Sequence, residues 1–213
     1  MKKYTFDEAM NLLENGNLRF SSNKTIHPNQ KYSRLEELVK GQNPFATVLT
    51  CSDSRVVPEF IFDRGIGDLF VIRNAGNIVE NTVLGSIEYA VEHLHTPIVL
   101  VLGHSSCGAV TAAVKGGPCC GHLESIMKEL EPIVDKEASK NTAIKNSILN
   151  NVNYCIDKIK KSKPVIAKLI KENKVGTVKK IVSEIILTSY QVSLYWMKKL
   201  LQDTNKFSLQ NPL

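Results

Sequence analysis

The run Ile98–Leu102 contains only branched apolar residues and constrains the fold of this chain more than any other segment. A strand without a polar face is buried on both sides, which favours a parallel sheet covered by helices. Other β-type runs at 45–50 and 68–73 alternate with helical patterns at 58–63 and 83–93. This rhythm predicts an α/β fold with a central, mostly parallel β-sheet flanked by helices.

The length of 213 residues fits one domain, which we divide into three parts. We expect an N-terminal helical arm at 1–40, a βαβ core with the candidate site at 41–115, and a helical segment followed by C-terminal strands at 116–213. Within the last part, a long helical pattern runs from 122 to about 174, with an interruption at Pro132.

The two ends of the chain carry further local signals. Thr5 and Glu8 have the spacing of a capping box, which predicts a helix that begins there. Near the other end, the runs 180–188 and 191–195 predict a β-hairpin. We therefore expect the chain to open with a helix and to close with paired strands.

Composition and charge exclude several classes of partner. The first residues mix lysines and acidic residues with apolar ones, unlike a signal peptide, so we expect a cytoplasmic protein. No apolar run approaches the length of about 18 residues that a membrane span needs, so we expect no membrane partner. The net charge of +6 comes with no nucleic-acid motif and no interleaved aromatic residues, so we expect no nucleic acid partner.

The chain contains five cysteines, an odd number in a protein expected to be cytoplasmic. They favour metal or thiol chemistry over disulfides.

Two short motifs follow directly after the first and third apolar runs: C-S-D-S-R at 51–55 and H-S-S-C at 104–107. Open α/β sheets bind ligands outside the carboxyl ends of their strands, where both motifs lie. Two thiolates and one imidazole suit a zinc ion that keeps one coordination position open. We predict that Cys51, His104 and Cys107 bind one Zn²⁺ per chain. Each cysteine taken alone is better explained as a buried core residue.

Asp53 and Arg55 lie beside the first predicted ligand. At this spacing a guanidinium can bind the carboxylate in a charge-assisted, bidentate pair, which elsewhere would be only a structural ion pair. Next to an open zinc position, the carboxylate can accept a hydrogen bond from a zinc-bound water or hydroxide and orient it. We predict that Asp53 and Arg55 are catalytic.

At these motifs the chain resembles the β-class carbonic anhydrases, whose signature is C-x-D-x-R followed by H-x-x-C. The likeness covers nearly everything from Gln42 to about Val114, through the stretches 42–55, 67–77, 85–91 and 101–110. It implies zinc-dependent, reversible hydration of carbon dioxide to bicarbonate and a proton through a zinc-bound hydroxide. It also implies a homodimer or homotetramer with the site at the subunit interface.

The resemblance is to the plant-like subgroup with an open zinc position, and it implies a set of substrate-binding residues. Gln42 would donate to a substrate oxygen, while Phe70 and Tyr89 from a partner subunit would form an apolar wall. Ala75 and Gly108 would complete the pocket. A small apolar slot suits carbon dioxide, which has neither charge nor permanent dipole.

Some features leave alternatives open. Related proteins often close with a Y-D-x-x-T-G-x-V hairpin, and the stretch 185–192 lacks its Asp and Gly, which puts the subunit packing in doubt. Asp53 could ligate zinc directly in a closed form of the site. The same pocket could hydrolyse carbonyl sulfide or carbon disulfide, or the chain could be a noncatalytic zinc-binding regulatory protein. Cys119 and Cys120 could serve as a redox switch.

Overall fold

A computed structural model of the chain describes residues 2–182. The α-helices of this range are α1 (Phe6–Ser21), α2 (Tyr32–Leu38), α3 (Pro58–Ile61), α4 (Asn81–Glu92), α5 (Gly108–Lys115), α6 (Leu123–Leu130), α7 (Lys140–Lys161) and α8 (Val165–Lys171). The strands are β1 (Ala46–Cys51), β2 (Leu69–Asn74), β3 (Ile98–His104) and β4 (Gly176–Val182). Short 3₁₀ helices lie at Ala75–Asn77 and Glu131–Ile133.

The described strands form one sheet in the order β2-β1-β3-β4, and each neighbouring pair is parallel. Cys51 pairs with Asn74 of β2, and Thr50 pairs with Leu102 of β3. The carboxyl ends of the two central strands therefore meet at one edge. The predicted α/β fold with a parallel sheet flanked by helices is confirmed.

The two central strands are buried along their whole length, because helices cover both faces of the sheet. Leu49 and Val101 pack in an apolar cluster with α4, α7 and α8. Val48 and Leu100, their neighbours in sequence, pack in a second cluster with α1 and α3. Alternate residues of a strand face opposite sides, so an uninterrupted apolar run is what a strand between two helical layers requires.

The predicted N-terminal helix begins as expected. The Thr5 hydroxyl accepts a hydrogen bond from the Glu8 amide at 3.2 Å, and the Glu8 carboxylate accepts one from the Thr5 amide at 2.8 Å. This reciprocal pair is the capping box, and it places Thr5 at the N-cap of α1.

The region after residue 122 differs in detail from the sequence prediction. The single long helical pattern is divided at 134–139 and 162–164 as well as at Pro132, and Pro164 forms the N-cap of α8. The break at 134–139 depends on tertiary packing, whereas Pro164 marks the second break in the sequence itself, because proline is disfavoured inside a helix. Strand β4 begins at Gly176, four positions before the predicted strand at 180–188. The second predicted strand, 191–195, and the altered stretch 185–192 lie outside the described residues.

None of the helices between residues 2 and 182 is both long enough and apolar enough to cross a membrane.

Candidate metal centre

The three predicted metal ligands lie together at the carboxyl edge of the sheet. Cys51 is the last residue of β1, His104 is the last residue of β3, and Cys107 is the N-cap of α5. Their candidate ligand atoms all lie within 4.8 Å of one another, and the two sulfur atoms are 4.0 Å apart. All three residues are at least 95% buried. Two sulfurs and one imidazole in such a cluster form a donor set that suits zinc.

The two ring nitrogens of His104 have different surroundings. Nδ1 lies 2.9 Å from the Ser105 carbonyl oxygen. Because a carbonyl can only accept, this contact places the ring proton on Nδ1. Nε2 is buried and has no hydrogen-bond partner among the described residues. A buried nitrogen without a partner is costly, and a metal ion at the centre of the cluster would satisfy it.

The two thiols titrate as a pair. A hydrogen bond from Cys107 lowers the pKa of Cys51 well below that of an ordinary thiol, against the opposing effect of burial, and His104 and the Gly76 amide contribute in the same direction. The bond with Cys51, together with burial, raises the pKa of Cys107. The opposite shifts mean that the two neighbouring buried sulfurs disfavour being charged together without a cation. A divalent ion supplies the positive charge that allows both to be thiolates, so the residues present fit a zinc ion.

Asp53 lies beside this cluster in a bidentate pair with Arg55. The guanidinium donates from Nε to Oδ1 at 2.9 Å and from Nη2 to Oδ2 at 2.7 Å, and the Arg55 amide also donates to Oδ1 at 3.0 Å. These bonds hold the pKa of the Asp53 carboxyl well below its usual range, although burial opposes the shift. The carboxylate is therefore charged, can only accept, and has a fixed orientation.

The five predicted substrate-binding residues fall into two groups. Ala75 adjoins Gly76, whose amide contacts Cys51, and Gly108 directly follows Cys107. No described atom lies within 4 Å of where a side chain on Gly108 would begin, so there is open space beside the cluster. Ala75 and Gly108 therefore lie beside the metal cluster of their own chain.

The second group consists of Gln42, Phe70 and Tyr89. It lies towards the end of the sheet at which strands β1 and β3 begin. Gln42 and Tyr89 line one cavity with residues that precede β1 and β3. The rings of Phe70 and Tyr89 are 6.0 Å apart, and Phe70 pairs with Thr47. Cys51 lies four positions after Thr47, which corresponds to about 13 Å along an extended strand. A single chain therefore does not bring this group to its own metal centre.

Comparison with known proteins fits this arrangement of fold and cluster. A family model described as carbonic anhydrase matches residues 46–185. This chain belongs to the carbonic anhydrase family. It is 44% identical over 130 residues to the carbonic anhydrase of Mycolicibacterium smegmatis and, to the same extent, to carbonic anhydrase 2 of Mycobacterium tuberculosis. Each alignment covers 59% of this chain and 63% of the relative, so the chain spans less than two thirds of the length of these curated proteins.

A solved structure places this chain within the β class of the family. The solved structure is that of one of the tetrameric β-carbonic anhydrases of the filamentous ascomycete Sordaria macrospora. This chain is similar to it with 26% sequence identity and a TM-score of 0.65. The superposition covers 84% of this chain and 91% of that one. The predicted resemblance to the β class is confirmed.

Two residues of the chain, Arg73 and Gly76, bind the backbone or sulfur of the centre, and the sequence analysis assigned neither a role. Arg73 donates from Nε to the Cys51 carbonyl at 3.2 Å and from Nη2 to the Asp53 carbonyl at 2.9 Å. The Gly76 amide donates to the Cys51 sulfur at 3.3 Å. In the sequence, these roles could have been inferred from Arg73 as a charged residue near the end of a strand and from Gly76 in the turn that follows it.

Proposed function

We propose that this chain is a zinc-dependent enzyme that interconverts carbon dioxide and bicarbonate. The observation that carries the proposal is the buried Cys51, His104 and Cys107 cluster, with a carboxylate held beside it by Arg55. A purely structural zinc is normally closed by a fourth protein ligand. Here the described residues offer three ligands and a charged acceptor, which is the composition of a reactive site. Membership of the carbonic anhydrase family supports the same assignment.

The ligand atoms of the proposed site are the sulfurs of Cys51 and Cys107 and Nε2 of His104, for one zinc per chain. Zinc in such a site lowers the pKa of a water molecule enough to supply a nucleophile near neutral pH. Burial of all three ligands excludes bulk water, while the contact of His104 Nδ1 with the Ser105 carbonyl fixes the ring. The chain thereby keeps its third ligand in one tautomer and one orientation.

Asp53 has the task of orienting the attacking water. Each carboxylate oxygen has two lone-pair sites. Oδ1 uses both on the amide and Nε of Arg55, whereas Oδ2 binds Nη2 alone and can still accept another hydrogen bond. Its lowered pKa keeps the carboxyl from acting as a donor. Because both oxygens are bound by Arg55, we propose that Asp53 stays off the metal and that the site belongs to the open, plant-like subgroup.

A second copy of the chain is proposed to complete the pocket. Gln42, Phe70 and Tyr89 lie away from their own metal cluster, and 46% of Tyr89 is exposed. Placed against the cluster of a partner, Gln42 would donate to a substrate oxygen, and the two rings would form an apolar wall. Carbon dioxide suits such a slot because its recognition needs shape and few polar contacts. A homodimer or homotetramer fits this arrangement, and the similar Sordaria proteins are tetrameric.

The test is stopped-flow hydration of carbon dioxide on protein whose zinc content has been measured. We expect about one zinc per chain and rapid hydration. Cys107→Ala should lose zinc and activity together, Asp53→Asn should keep zinc and lose activity, and Cys119→Ala is the matched cysteine control. Full zinc occupancy with no hydration at any pH from neutral to about 9 would instead identify a noncatalytic zinc protein.

A further inference from the structure

Helix α7 contacts the turn that supports the metal ligand Cys51. The turn is the 3₁₀ segment Ala75–Asn77, and it follows β2 directly. From its other side, the Asn151 side chain donates to the Gly76 carbonyl at 2.7 Å. Asn151 is 2% exposed, so this hydrogen bond is shielded from water. It is also a long-range contact, since 75 residues separate its two partners.

Cys155 makes a second contact from the same face of α7, one helical turn further on. Its thiol lies 3.2 Å from the Asn77 carbonyl oxygen. Burial raises the pKa of Cys155 to about 12, so the thiol keeps its proton and can donate it. Asn151 and Cys155 thus bind two consecutive carbonyls of the turn, and we call this pair the α7 clamp.

The turn presents its amide to the metal centre. The Gly76 N–H donates to the Cys51 sulfur at 3.3 Å. Gly76 has a positive φ of 76°, and a side chain there would meet Ala109 at 3.2 Å and Leu130 at 3.3 Å. One peptide segment is therefore held between the α7 clamp on one side and a metal ligand on the other. A hydrogen bond to a ligand sulfur fixes its orientation, as outer contacts generally do for metal sites.

From these contacts we infer that Asn151 is a positioning residue of the metal centre. By binding the Gly76 carbonyl it fixes the amide that orients the Cys51 sulfur, and Cys155 supports the same turn. Asn151 touches neither metal nor substrate, and its effect on the site passes through Gly76. The inference rests on the proposed zinc site, and it assigns a role to a helix in which the sequence showed only a polar helical pattern.

The experiment compares Asn151→Ala with Ser147→Ala. Ser147 lies one turn earlier on α7 and is equally buried, and its hydroxyl accepts a hydrogen bond from the Asp135 amide, away from the turn. Each variant thus removes a hydrogen bond between a side chain of α7 and a backbone group outside the helix, and Asn151→Ala also removes a weaker contact with the Cys155 thiol at 3.6 Å. The zinc Kd is measured by competition with a chromophoric chelator, and the absorption spectrum is recorded after substitution with cobalt(II).

We expect Asn151→Ala to raise the zinc Kd about tenfold and to shift the cobalt–thiolate absorption band. Ser147→Ala should lower the melting temperature by a similar amount and leave both metal readouts as in the unmodified chain. A zinc Kd for Asn151→Ala within about threefold of the Ser147→Ala value would overturn the inference, and a larger rise supports it.

Three further variants cover the case in which Asn151→Ala fails to fold. Asn151→Asp keeps the size of the side chain and replaces its donor with an oxygen. Cys155→Ala removes the second contact of the clamp, while Cys155→Ser retains a donor there. Loss of zinc affinity in Asn151→Asp and Cys155→Ala, with recovery in Cys155→Ser, supports the inference, and unchanged affinity in all three overturns it. If the unmodified chain binds no zinc, the proposed function itself fails, which is a separate result.

Discussion

The Arg55 guanidinium binds both oxygens of the Asp53 carboxylate, through Nε at 2.9 Å and Nη2 at 2.7 Å. Two parallel hydrogen bonds fix the plane of the carboxylate as well as its position. A lysine at the same place carries the charge but cannot bind both oxygens in this way. Replacing Arg55 by lysine therefore tests whether the orientation of Asp53 matters for the proposed reaction.

Arg55→Lys should lower kcat/KM for carbon dioxide hydration about tenfold to a hundredfold and leave the zinc content unchanged. The reason is that a point charge allows the carboxylate to rotate away from the attacking water. Stopped-flow kinetics and metal analysis measure the two quantities. Arg34→Lys is the control, because the partners of Arg34 are Glu37, the Ile66 carbonyl and Asp68, none of which belongs to the metal centre. Unchanged kcat/KM in Arg55→Lys at full zinc occupancy would contradict the role of Asp53.

Gly76→Ala should reduce the free energy of unfolding by about 1–2 kcal/mol, since a side chain is strained at positive φ and crowds its neighbours there. Urea denaturation measures this change. Gly85→Ala is a matched control, because Gly85 lies inside α4 and a side chain there meets no described atom within 4 Å. In a helix this substitution stabilises by roughly 0.5–1 kcal/mol. The prediction is wrong if the two variants change stability by the same amount.

Asp63, which is not part of the metal centre, should make the free energy of unfolding depend on pH. Its buried carboxylate accepts hydrogen bonds from Arg19 Nε at 2.5 Å, the Ile26 amide at 3.1 Å and the His27 amide at 2.9 Å. Burial opposes ionisation, but these bonds outweigh it and lower the pKa of Asp63. Because the folded pKa lies below the unfolded value of about 4, the stabilisation is complete above that pH. It is lost as the pH falls through the folded pKa.

Asp63→Asn should therefore be less stable than the unmodified chain at neutral pH by about 1–3 kcal/mol. The difference should shrink as the pH falls below about 4. Urea denaturation at a series of pH values measures both, and comparing the two chains at each pH cancels any shared effect of metal loss. A stability difference that stays constant from pH 7 to about 3 would contradict the ionised state of Asp63.

Mixing two inactive variants tests whether a partner completes the site. One variant is Cys107→Ala, and the other carries Gln42→Ala with Tyr89→Ala. In a mixed dimer of twofold symmetry, one of the two sites receives only intact residues. Random reassociation of equal amounts should then restore about one quarter of the unmodified activity, because half of the dimers are mixed and each has one intact site.

The control for this mixture is Cys107→Ala with Asp53→Asn. Both of these substitutions affect the metal centre of their own chain, so every site in a mixed dimer stays defective. No activity should return in this control. Equal recovery in the two mixtures, or none in the first, would contradict the assignment of Gln42 and Tyr89 to the partner.

The sequence was sufficient to predict the sheet and the meeting of Cys51, His104 and Cys107. Parallel strands present their carboxyl ends at one edge, so two motifs placed directly after apolar runs have to lie near each other. The bond between Asp53 and Arg55 is local in sequence, which made it predictable as well. These features depend on spacing and on the periodicity of strands.

The remainder of the site depends on contacts that spacing does not reveal. Helix α7 carries asparagines at 150, 151 and 153, and only packing determines that Asn151 faces the turn at Gly76. The resemblance had already assigned Phe70 and Tyr89 to a partner subunit, but that Gln42 lines the same cavity as Tyr89 depends on how the segment before β1 packs. The break at 134–139 was hidden for a similar reason, whereas the break at 162–164 contains Pro164, a signal that the sequence prediction did not use.

The register between β1 and β3 determines whether the three metal ligands come together. The metal ligands extend from the ends of these two neighbouring strands, which are aligned with Thr50 opposite Leu102. If β3 slipped by one residue along β1, every side chain would change face and His104 would leave the two sulfurs. A bound zinc ion would therefore discriminate between correct and shifted strand pairings during folding.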